Sequence, residues 1–263
     1  METLSGKVAV VTGASRGVGR GIALALAEAG MTVYGTGRTV GDSGVEQAIC
    51  DRGGRGIAVT CDHADDAQTA ALFDRVEAEQ GRLDILVNNA FAIPSQPIWG
   101  KPFWEQPLAM WDQMHTVGLR SHYAASVFAA PRMVAAGRGL IANISSFAGG
   151  SYQLNTAYGV GKAGVDRLAR DMARELRPFG VAAVSLWPGI VRTEWVLAMD
   201  EPPFPTDVTE SPEFTGRAIA ALARDPDLLT HSGKIHVVAE LAEHYGFDDI
   251  DGTRPRSLRR RSP

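Results

Sequence analysis

Residues 7–30, KVAVVTGASRGVGRGIALALAEAG, decide the fold of this chain. Residues 8–11 are apolar and mostly β-branched, which is typical of a strand buried on both faces. Three glycines follow within residues 12–19, and an alanine- and leucine-rich segment continues to Gly30, a residue type common where helices end. A strand, a glycine turn and a helix in this order present backbone N–H groups and the positive end of the helix dipole to an anion. The stretch predicts a pyrophosphate site, against the alternative of a glycine-rich turn with no ligand.

Composition limits the classes of function. Of the 263 residues 45% are hydrophobic, which is enough for a sizeable core, and the formal net charge of -4 gives no reason to expect a nucleic-acid partner. We expect no membrane span, because no apolar run approaches the required length, and no signal peptide in residues 1–6. Cys50 and Cys61 are the only cysteines. This low number fits a reducing compartment and predicts a cytoplasmic protein.

Strand-like and helical segments alternate along the chain. The predicted strands are residues 8–11, 31–36, 56–60, 84–87, 139–145, 181–186 and 234–238. Helical patterns cover residues 45–52, 64–80, 108–137 and 156–178, and the third of these is predicted to be two segments meeting near Gly118. This alternation predicts an α/β, Rossmann-type, doubly wound parallel seven-stranded sheet with helices on both faces. We expect residues 1–245 to be a single dinucleotide-binding and catalytic domain and residues 246–263 to be a C-terminal tail.

Several polar or special residues fall at the carboxyl ends of the predicted strands. Ligands of open α/β sheets bind beyond this edge. The residues are Thr12, Arg38, Asp62, Asn89, Ser145 and Pro188. Their shared location predicts one site at one edge of the sheet.

Tyr158 and Lys162 lie four residues apart on a predicted helix and therefore on one face of it. A nearby ammonium group favours the phenolate and lowers the pKa of a tyrosine, so that the phenol can exchange a proton with an alcohol or carbonyl. The hydroxyl of Ser145 could polarise a carbonyl oxygen. The alternative for the Tyr-x-x-x-Lys pair is a solvated helix face.

Several motifs follow one another in a family-specific order. They are the glycine turn T-G-x-x-x-G-x-G of residues 12–19, Asn88-Asn89-Ala90, Ser145 thirteen residues before Tyr158, Tyr158-x-x-x-Lys162, and Pro188-Gly189-Ile190-Val191-x-Thr193. In this set and order the chain resembles the short-chain dehydrogenase/reductase family over roughly residues 4–240. Residues 117–120, 158–162 and 186–191 resemble the branch called dehydrogenase/reductase member 1.

The resemblance implies a role for each motif residue. Tyr158 is the expected acid/base, Ser145 orients the carbonyl, and Lys162 binds the nicotinamide ribose while lowering the pKa of the tyrosine. The expected cofactor-binding residues are Gly13, Ser15, Arg16, Gly17, Val18, Gly19, Arg38, Asp62, His63, Asn89, Ala90, Tyr158, Lys162, Pro188, Gly189, Val191 and Thr193. Around the nicotinamide end, motif position places Phe91, Phe147, Tyr152 and Trp195. We therefore predict an apolar pocket for a hydrophobic carbonyl or alcohol, and the family also implies a homodimer or homotetramer.

The residues after the second strand bear on cofactor choice. NAD-preferring sites usually carry an acidic residue there, which binds the ribose hydroxyls and repels a 2′-phosphate. Here the chain has no acid between Thr36 and Asp42, and Arg38 could pair with the phosphate, with Arg16 reaching it from the other side. We predict that NADP(H) is preferred over NAD(H). The alternatives are adenine stacking for Arg38 in an NAD enzyme and a solvated loop charge for Arg16.

Two positions depart from the family pattern. Phe91 stands where the family usually has glycine, and it would line the cleft or pack on Trp99 or Trp104. Gly118 stands where the family has a catalytic asparagine, which is thought to bend its helix; glycine permits the same bend.

Two hypotheses about the function of the protein result. The first is an NADP(H)-dependent carbonyl reductase or alcohol dehydrogenase. The second is an NADP-binding, non-catalytic or regulatory member of the fold.

Three other features of the sequence carry weaker signals. His63, His115 and His122 have no spacing typical of a metal site, and none is expected. Residues 194–212 form a long loop, interpreted as a lid or as a statically packed surface loop. Residues 254–261 form a basic segment, interpreted as a disordered terminus or an anion-binding tail.

Overall fold

The computed structural model describes residues 3–92, 101–199, 204 and 208–261. Its strands are β1 (Val8–Thr12), β2 (Thr32–Gly37), β3 (Arg55–Thr60), β4 (Ile85–Asn88), β5 (Gly139–Ile144), β6 (Val181–Trp187), β7 (Ile190–Val191), β8 (Thr209–Glu210) and β9 (Ile235–Val237). Seven of them form one parallel sheet in the order β3-β2-β1-β4-β5-β6-β9, whereas β7 and β8 pair separately. The predicted seven-stranded parallel sheet is confirmed.

Helices cover both faces of this sheet. They are α1 (Gly17–Glu28), α2 (Val45–Asp51), α3 (Asp66–Gln80), α4 (Leu108–His115), α5 (Ser121–Ala136), α6 (Thr156–Leu176), α7 (Glu194–Leu197), α8 (Pro212–Ala223), α9 (Leu228–His231) and α10 (Val238–Tyr245). Among the described residues, no helix combines the length and apolarity needed to cross a bilayer.

The side chains of β1 alternate between the two faces of the sheet, which explains why residues 8–11 are all apolar. Val11 belongs to a core cluster with residues of α1, α8 and α10, while Val10 belongs to a second cluster with residues of α3, α5 and α6. Because successive side chains of a strand point to opposite faces, a strand with helices on both sides must be hydrophobic at every position. Burial on both faces therefore accounts for the sequence of residues 8–11.

The α1–α8 contact was not predicted, because the sequence analysis assigned no helix to residues 212–223. A Cβ on Gly21 would meet the backbone of Pro212, and a Cβ on Gly216 would lie 2.6 Å from the Cβ of Ala25. The two glycines let the helices pack backbone to backbone across one face of the sheet. This packing fixes α1, whose first residue is in the glycine turn.

The helical segment before β5 changes its winding in the middle. A π-helical turn, Thr116–Arg120, separates α4 from α5, and buried Gly118 lies at its centre. The predicted junction near Gly118 is confirmed. π-Turns in otherwise α-helical segments are often found at functional sites.

The segment after α10 packs on the domain. Phe247 contacts Phe214, with ring centroids 5.4 Å apart, and buried Asp249 accepts a hydrogen bond of 2.7 Å from the backbone N–H of Ser211. In the basic part, Arg254 forms an ion pair with Asp248 at 2.7 Å. The structure thus differs from the expectation of a disordered basic terminus, because Glu240 of α10 accepts hydrogen bonds from Ser257 at 2.7 Å and from Arg259 at 3.1 Å.

Candidate active site

The glycine turn is held by the end of β4. The hydroxyl of Thr12 accepts hydrogen bonds from the backbone N–H groups of Asn89 (2.9 Å) and Ala90 (3.0 Å). The side-chain amide of Asn89 donates to the carbonyl oxygens of Thr12 (2.9 Å) and Gly13 (3.1 Å). Asn89 and Ala90, two predicted cofactor residues, therefore brace the turn.

Glycine is required within this turn for steric reasons. Gly13 has φ of +70°, and a Cβ there would lie 2.9 Å from the Cα of Ala90. A Cβ on Gly19 would collide with the carbonyl oxygen of Gly13 and the side-chain amide of Asn89. These approaches bring the start of α1 against β4 and direct its free N–H groups at the edge of the sheet.

A carboxylate already occupies the start of α1. The Glu194 oxygens Oε2 and Oε1 accept hydrogen bonds from the backbone N–H of Gly17 at 3.0 and 3.3 Å. The methyl group of Thr193 lies 3.4 Å from the position a Cβ would take on Gly17. Glu194 stands in for an anionic group such as phosphate, so the turn fits a nucleotide pyrophosphate. Sequence reasoning predicted Thr193 as a cofactor residue but did not place it against the glycine turn, and it missed Glu194.

Ser145, Tyr158 and Lys162 come together where β5 meets α6. The side chain of Asn155 caps α6 by accepting a hydrogen bond from the backbone N–H of Tyr158 at 2.8 Å. One turn later, Lys162 Nζ lies 5.7 Å from the Tyr158 ring centroid and donates to the carbonyl of Ile144 at 3.0 Å. The Ser145 hydroxyl donates to the carbonyl of Lys162 at 3.1 Å. A phenol, an ammonium and a hydroxyl therefore lie close together where β5 meets α6. This arrangement is suited to proton exchange.

Burial controls the titration of this group. It lowers the pKa of Lys162 to about 8, with the Asp166 carboxylate acting in the opposite direction. It also raises the pKa of the Tyr158 phenol, against a hydrogen bond to Ser146 that lowers it. The sequence predicted a lowered pKa for this tyrosine. The structure differs because desolvation of the phenolate outweighs the other influences on Tyr158.

Sequence reasoning missed Asp166 and Ser146. Buried Asp166 accepts hydrogen bonds from the Ser185 hydroxyl at 2.5 Å and from the Trp187 indole at 3.0 Å, and it also bonds Ser145. It lies four residues after Lys162, so the helical spacing that links Tyr158 to Lys162 could have found it. Asp166 anchors the ends of β5 and β6 to α6.

The predicted substrate residues are spread over different environments. The Phe91 ring meets the Tyr158 ring edge-on, with centroids 5.7 Å apart and planes at 80°. Phe147 packs on Trp187 at 5.1 Å and against the core. Tyr152 and Trp195 are exposed by 76% and 52%. Of the four, Phe91 is the one in contact with Tyr158. Of its two suggested packing partners, Trp99 lies outside the described residues, and Trp104 is exposed and packs edge-on against Phe103 at 5.3 Å.

The predicted adenosine end lies around β2 and β3. Arg38 is exposed directly after β2, and the Ser15 hydroxyl lies 2.8 Å from where a Cβ of Gly37 would be. His63 is buried, and its Nε2 shares a hydrogen bond of 2.7 Å with the Thr36 hydroxyl. Burial lowers the pKa of His63 to about 4, so this imidazole is neutral and braces the strand ends.

The remaining predicted cofactor residues lie near these groups. Arg16 is exposed in the glycine turn, Val18 packs on the core, and the Asp62 carboxylate accepts a hydrogen bond from the backbone N–H of Ala64 at 3.0 Å. Pro188 and Val191 are buried on either side of Gly189.

A buried carboxyl holds the Pro188-Gly189 motif. Glu210, on β8, accepts a hydrogen bond from the backbone N–H of Gly189, and a Cβ on that glycine would lie 2.8 Å from Glu210 Oε2. Burial, reinforced by the nearby Asp249 charge, raises the pKa of Glu210 to about 8 despite Arg192. Glu210 is therefore largely protonated at neutral pH.

Of the loop interpreted as a lid, residues 200–203 and 205–207 lie outside the described residues.

The histidines for which no metal site was expected lie in separate places. His122 is buried and bonds the carbonyl of Ala90 at 3.0 Å, whereas the His115 ring packs on Trp111. In the described part of the chain, a different group, Asp225, His231 and His244, brings potential ligand atoms within 4.8 Å of one another. Asp225 there accepts hydrogen bonds from Tyr245 and His231.

Comparison with known proteins gives a consistent result. The family model for short chain dehydrogenase matches residues 7–202. The chain is 48% identical to Dehydrogenase/reductase SDR family member 1 of Mus musculus, in an alignment covering 95% of this chain and 85% of the mouse protein.

Two solved structures share the fold and a third of the sequence or slightly less. A metagenomic short-chain oxidoreductase in complex with NADP is 34% identical, with a TM-score of 0.75 over 90% of this chain and 97% of that chain. A 7α-hydroxysteroid dehydrogenase complexed with NADH and 7-oxo glycochenodeoxycholic acid is 30% identical, with a TM-score of 0.78 over 89% and 93%. The matched family model, the 48% identity and the shared sheet together show that this chain belongs to the short-chain dehydrogenase/reductase family of oxidoreductases.

Proposed function

We propose that this protein is an NADP(H)-dependent oxidoreductase that interconverts a hydrophobic carbonyl compound and its alcohol. The observation that carries the proposal is the meeting of Ser145, Tyr158 and Lys162 at the carboxyl edge of the sheet. This edge also holds the glycine turn, where a carboxylate takes the place of a phosphate. The arrangement joins an anion site to a proton-exchange site.

In this proposal the cofactor supplies or accepts a hydride at the substrate carbon. Tyr158 donates a proton to the carbonyl oxygen during reduction, and Ser145 holds that oxygen through its hydroxyl. Lys162 places a positive charge beside the phenol, which favours the phenolate as the proton leaves. Asp166, one helical turn after Lys162, balances the charge of Lys162. Each role belongs to a side chain that lies within this one corner.

The proposed substrate class follows from the apolar wall beside Tyr158. Phe91 and Tyr158 pack against Met110, Met114 and Ala157, which form a small apolar cluster. The side chains of this cluster carry no charge, which favours a hydrophobic substrate over a phosphorylated sugar. The bound ligand of the 7α-hydroxysteroid dehydrogenase, which carries a 7-oxo group, is consistent with a carbonyl on a hydrophobic body.

A cofactor-coupled screen tests this function. Hydrophobic ketones, aldehydes and alcohols are offered with each nicotinamide cofactor, and the absorbance band of the reduced nicotinamide is followed. We expect NADPH consumption with at least one hydrophobic carbonyl compound. Tight NADPH binding without turnover across the whole series would instead favour the second hypothesis, a non-catalytic nucleotide-binding protein. The feature that supports this hypothesis is Gly118, which stands where the family has a catalytic asparagine.

Arg38 is proposed to give the cofactor preference. It is exposed directly after β2, and Arg16 is exposed in the adjoining glycine turn. The two structural neighbours bind NADP and NADH respectively, so fold alone does not decide the choice. A guanidinium can pair with a 2′-phosphate through two charge-assisted hydrogen bonds, although solvent exposure weakens such a pair.

We expect NADPH to bind at least about tenfold more tightly than NADH, and Arg38→Ala to remove most of that difference. Fluorescence titration of both cofactors against wild type and variant measures it. Arg55→Ala, which removes an exposed arginine at the opposite end of the strands, is the matched control and should retain the preference. Equal affinities of the wild type for both cofactors would show that Arg38 does not read the phosphate.

We further propose a cytoplasmic homodimer or homotetramer. Both cysteines are free, in keeping with a reducing compartment. A groove of about 340 Å³ between α5 and α6 is lined by Leu119, Tyr123 and Leu168 among others, and exposed Val127 lies one turn beyond Tyr123. Apolar side chains on such a face support self-association.

A further inference from the structure

Phe91 and Gly118 fit together as large and small partners. A Cβ on Gly118 would lie 2.6 Å from Cδ2 and 2.8 Å from Cε2 of the Phe91 ring. Carbon atoms of real side chains essentially never approach so closely, so the ring occupies the space that any other residue at position 118 would need. The identity of one residue therefore restricts the identity of the other.

The same ring contacts the catalytic pair. Phe91 meets the Tyr158 ring edge-on at 5.7 Å, and Lys162 Nζ lies 5.2 Å from the Phe91 ring centroid. Aromatic pairs favour this edge-on geometry, and an ammonium is attracted to the face of an aromatic ring. Phe91 thus limits the orientations of both Tyr158 and Lys162.

The backbone around Phe91 is fixed from two sides. The Ala90 N–H donates to the Thr12 hydroxyl at 3.0 Å, and the Ala90 carbonyl bonds the imidazole of His122 at 3.0 Å. His122 follows Gly118 by four residues and lies in the first turn of α5. Burial and the Lys162 charge lower the pKa of His122 to about 3, so it is a neutral hydrogen-bond donor to this carbonyl.

We propose that Phe91 is a positioning residue for Tyr158 and Lys162, and that Gly118 is glycine in this chain to admit the Phe91 ring. The proposal rests on the proposed function, since it assigns Phe91 a role toward the proton-exchanging pair. In this arrangement the aromatic ring fills the space beside the π-turn. The ring also excludes water from the ammonium of Lys162. The carboxylate of Asp166, on the same helix, is a charged neighbour of that ammonium.

A double-mutant cycle on the protein without added cofactor tests the steric pairing. Gly118→Ala should lower the midpoint of thermal unfolding by about 4–8 °C, because its Cβ meets the ring. Combined with Phe91→Ala, the same substitution should cost little, since the ring is gone. Gly159→Ala is the control for helix propensity, because its Cβ would meet nothing closer than 3.4 Å. Additive effects of the two substitutions would overturn the pairing.

The positioning role needs a readout that a purely structural residue would not change. We expect Phe91→Leu to lower kcat at least about tenfold while the Kd of NADPH changes less than threefold. Ultraviolet titration of the phenols, taken as the difference between proteins with and without Tyr158, should show a lower pKa for Tyr158 in Phe91→Leu, because water reaches the ring. Unchanged kcat and an unchanged Tyr158 titration would overturn the role.

The two levels of failure can be separated. If Tyr158→Phe retains full turnover, the proposed function itself fails, whatever the result at Phe91. If Tyr158→Phe is inactive but the substitutions at Phe91 and Gly118 act additively and leave kcat unchanged, only the present inference fails.

Discussion

Replacing Tyr158 with phenylalanine is expected to lower kcat/KM about 1,000-fold, with the Kd of NADPH changed less than threefold. The substitution removes the group that exchanges a proton with the substrate oxygen, and positioned acid/base groups contribute on this scale. The ring remains, so its edge-on contact with Phe91 and its place in the apolar cluster with Met110 and Met114 are kept. Steady-state kinetics with the substrate found by screening, together with a cofactor titration, measure both quantities.

Tyr123→Phe is the matched control, because it makes the same chemical change at an exposed position on α5 and keeps the ring that lines the groove between α5 and α6. Its activity should equal that of the wild type. Retained turnover in Tyr158→Phe would show that the proton comes from another group.

Replacing Gly19 with alanine is expected to weaken NADPH binding at least about 100-fold. The new Cβ would collide with the Gly13 carbonyl and the Asn89 amide, which are parts of the turn itself. The start of α1 must then move away from β4, and the N–H groups that face the anion move with it. Isothermal titration with NADPH measures the loss.

Gly41→Ala serves as the control, since a Cβ there would meet nothing closer than 3.9 Å. Circular dichroism and unfolding midpoints for both variants separate a damaged site from a damaged fold. A folded Gly19→Ala protein that binds NADPH like the wild type would contradict the assignment of this turn as the pyrophosphate site.

Much of the fold could be predicted because its signals are local. Residues 8–11 are apolar at every position since both faces of β1 are covered, and three glycines stand close together in residues 12–19, where the chain turns from β1 into α1. The proximity of Tyr158 and Lys162 was also predictable, because one turn of α6 brings the two side chains together.

Other features depend on contacts between distant segments. Glu194 reaches Gly17 across most of the chain, and the packing of α8 on Gly21 joins two distant segments, although Ser211 and Pro212 are a local signal for the start of that helix. The raised pKa of Tyr158 follows from burial that only the assembled fold produces. Phe91 and Gly118 each departed from the family pattern, and their mutual contact could not be read from either position alone.

A crystal structure of the protein with NADP⁺ tests the central claim most directly, namely that one edge of the sheet joins the anion site to Tyr158. We expect the pyrophosphate against Gly17 and Gly19, the Glu194 carboxylate displaced from the Gly17 N–H, and the nicotinamide ring beside the Tyr158 hydroxyl. A complex with Glu194 still bonded to Gly17, or with the nicotinamide directed away from Tyr158, would contradict the account.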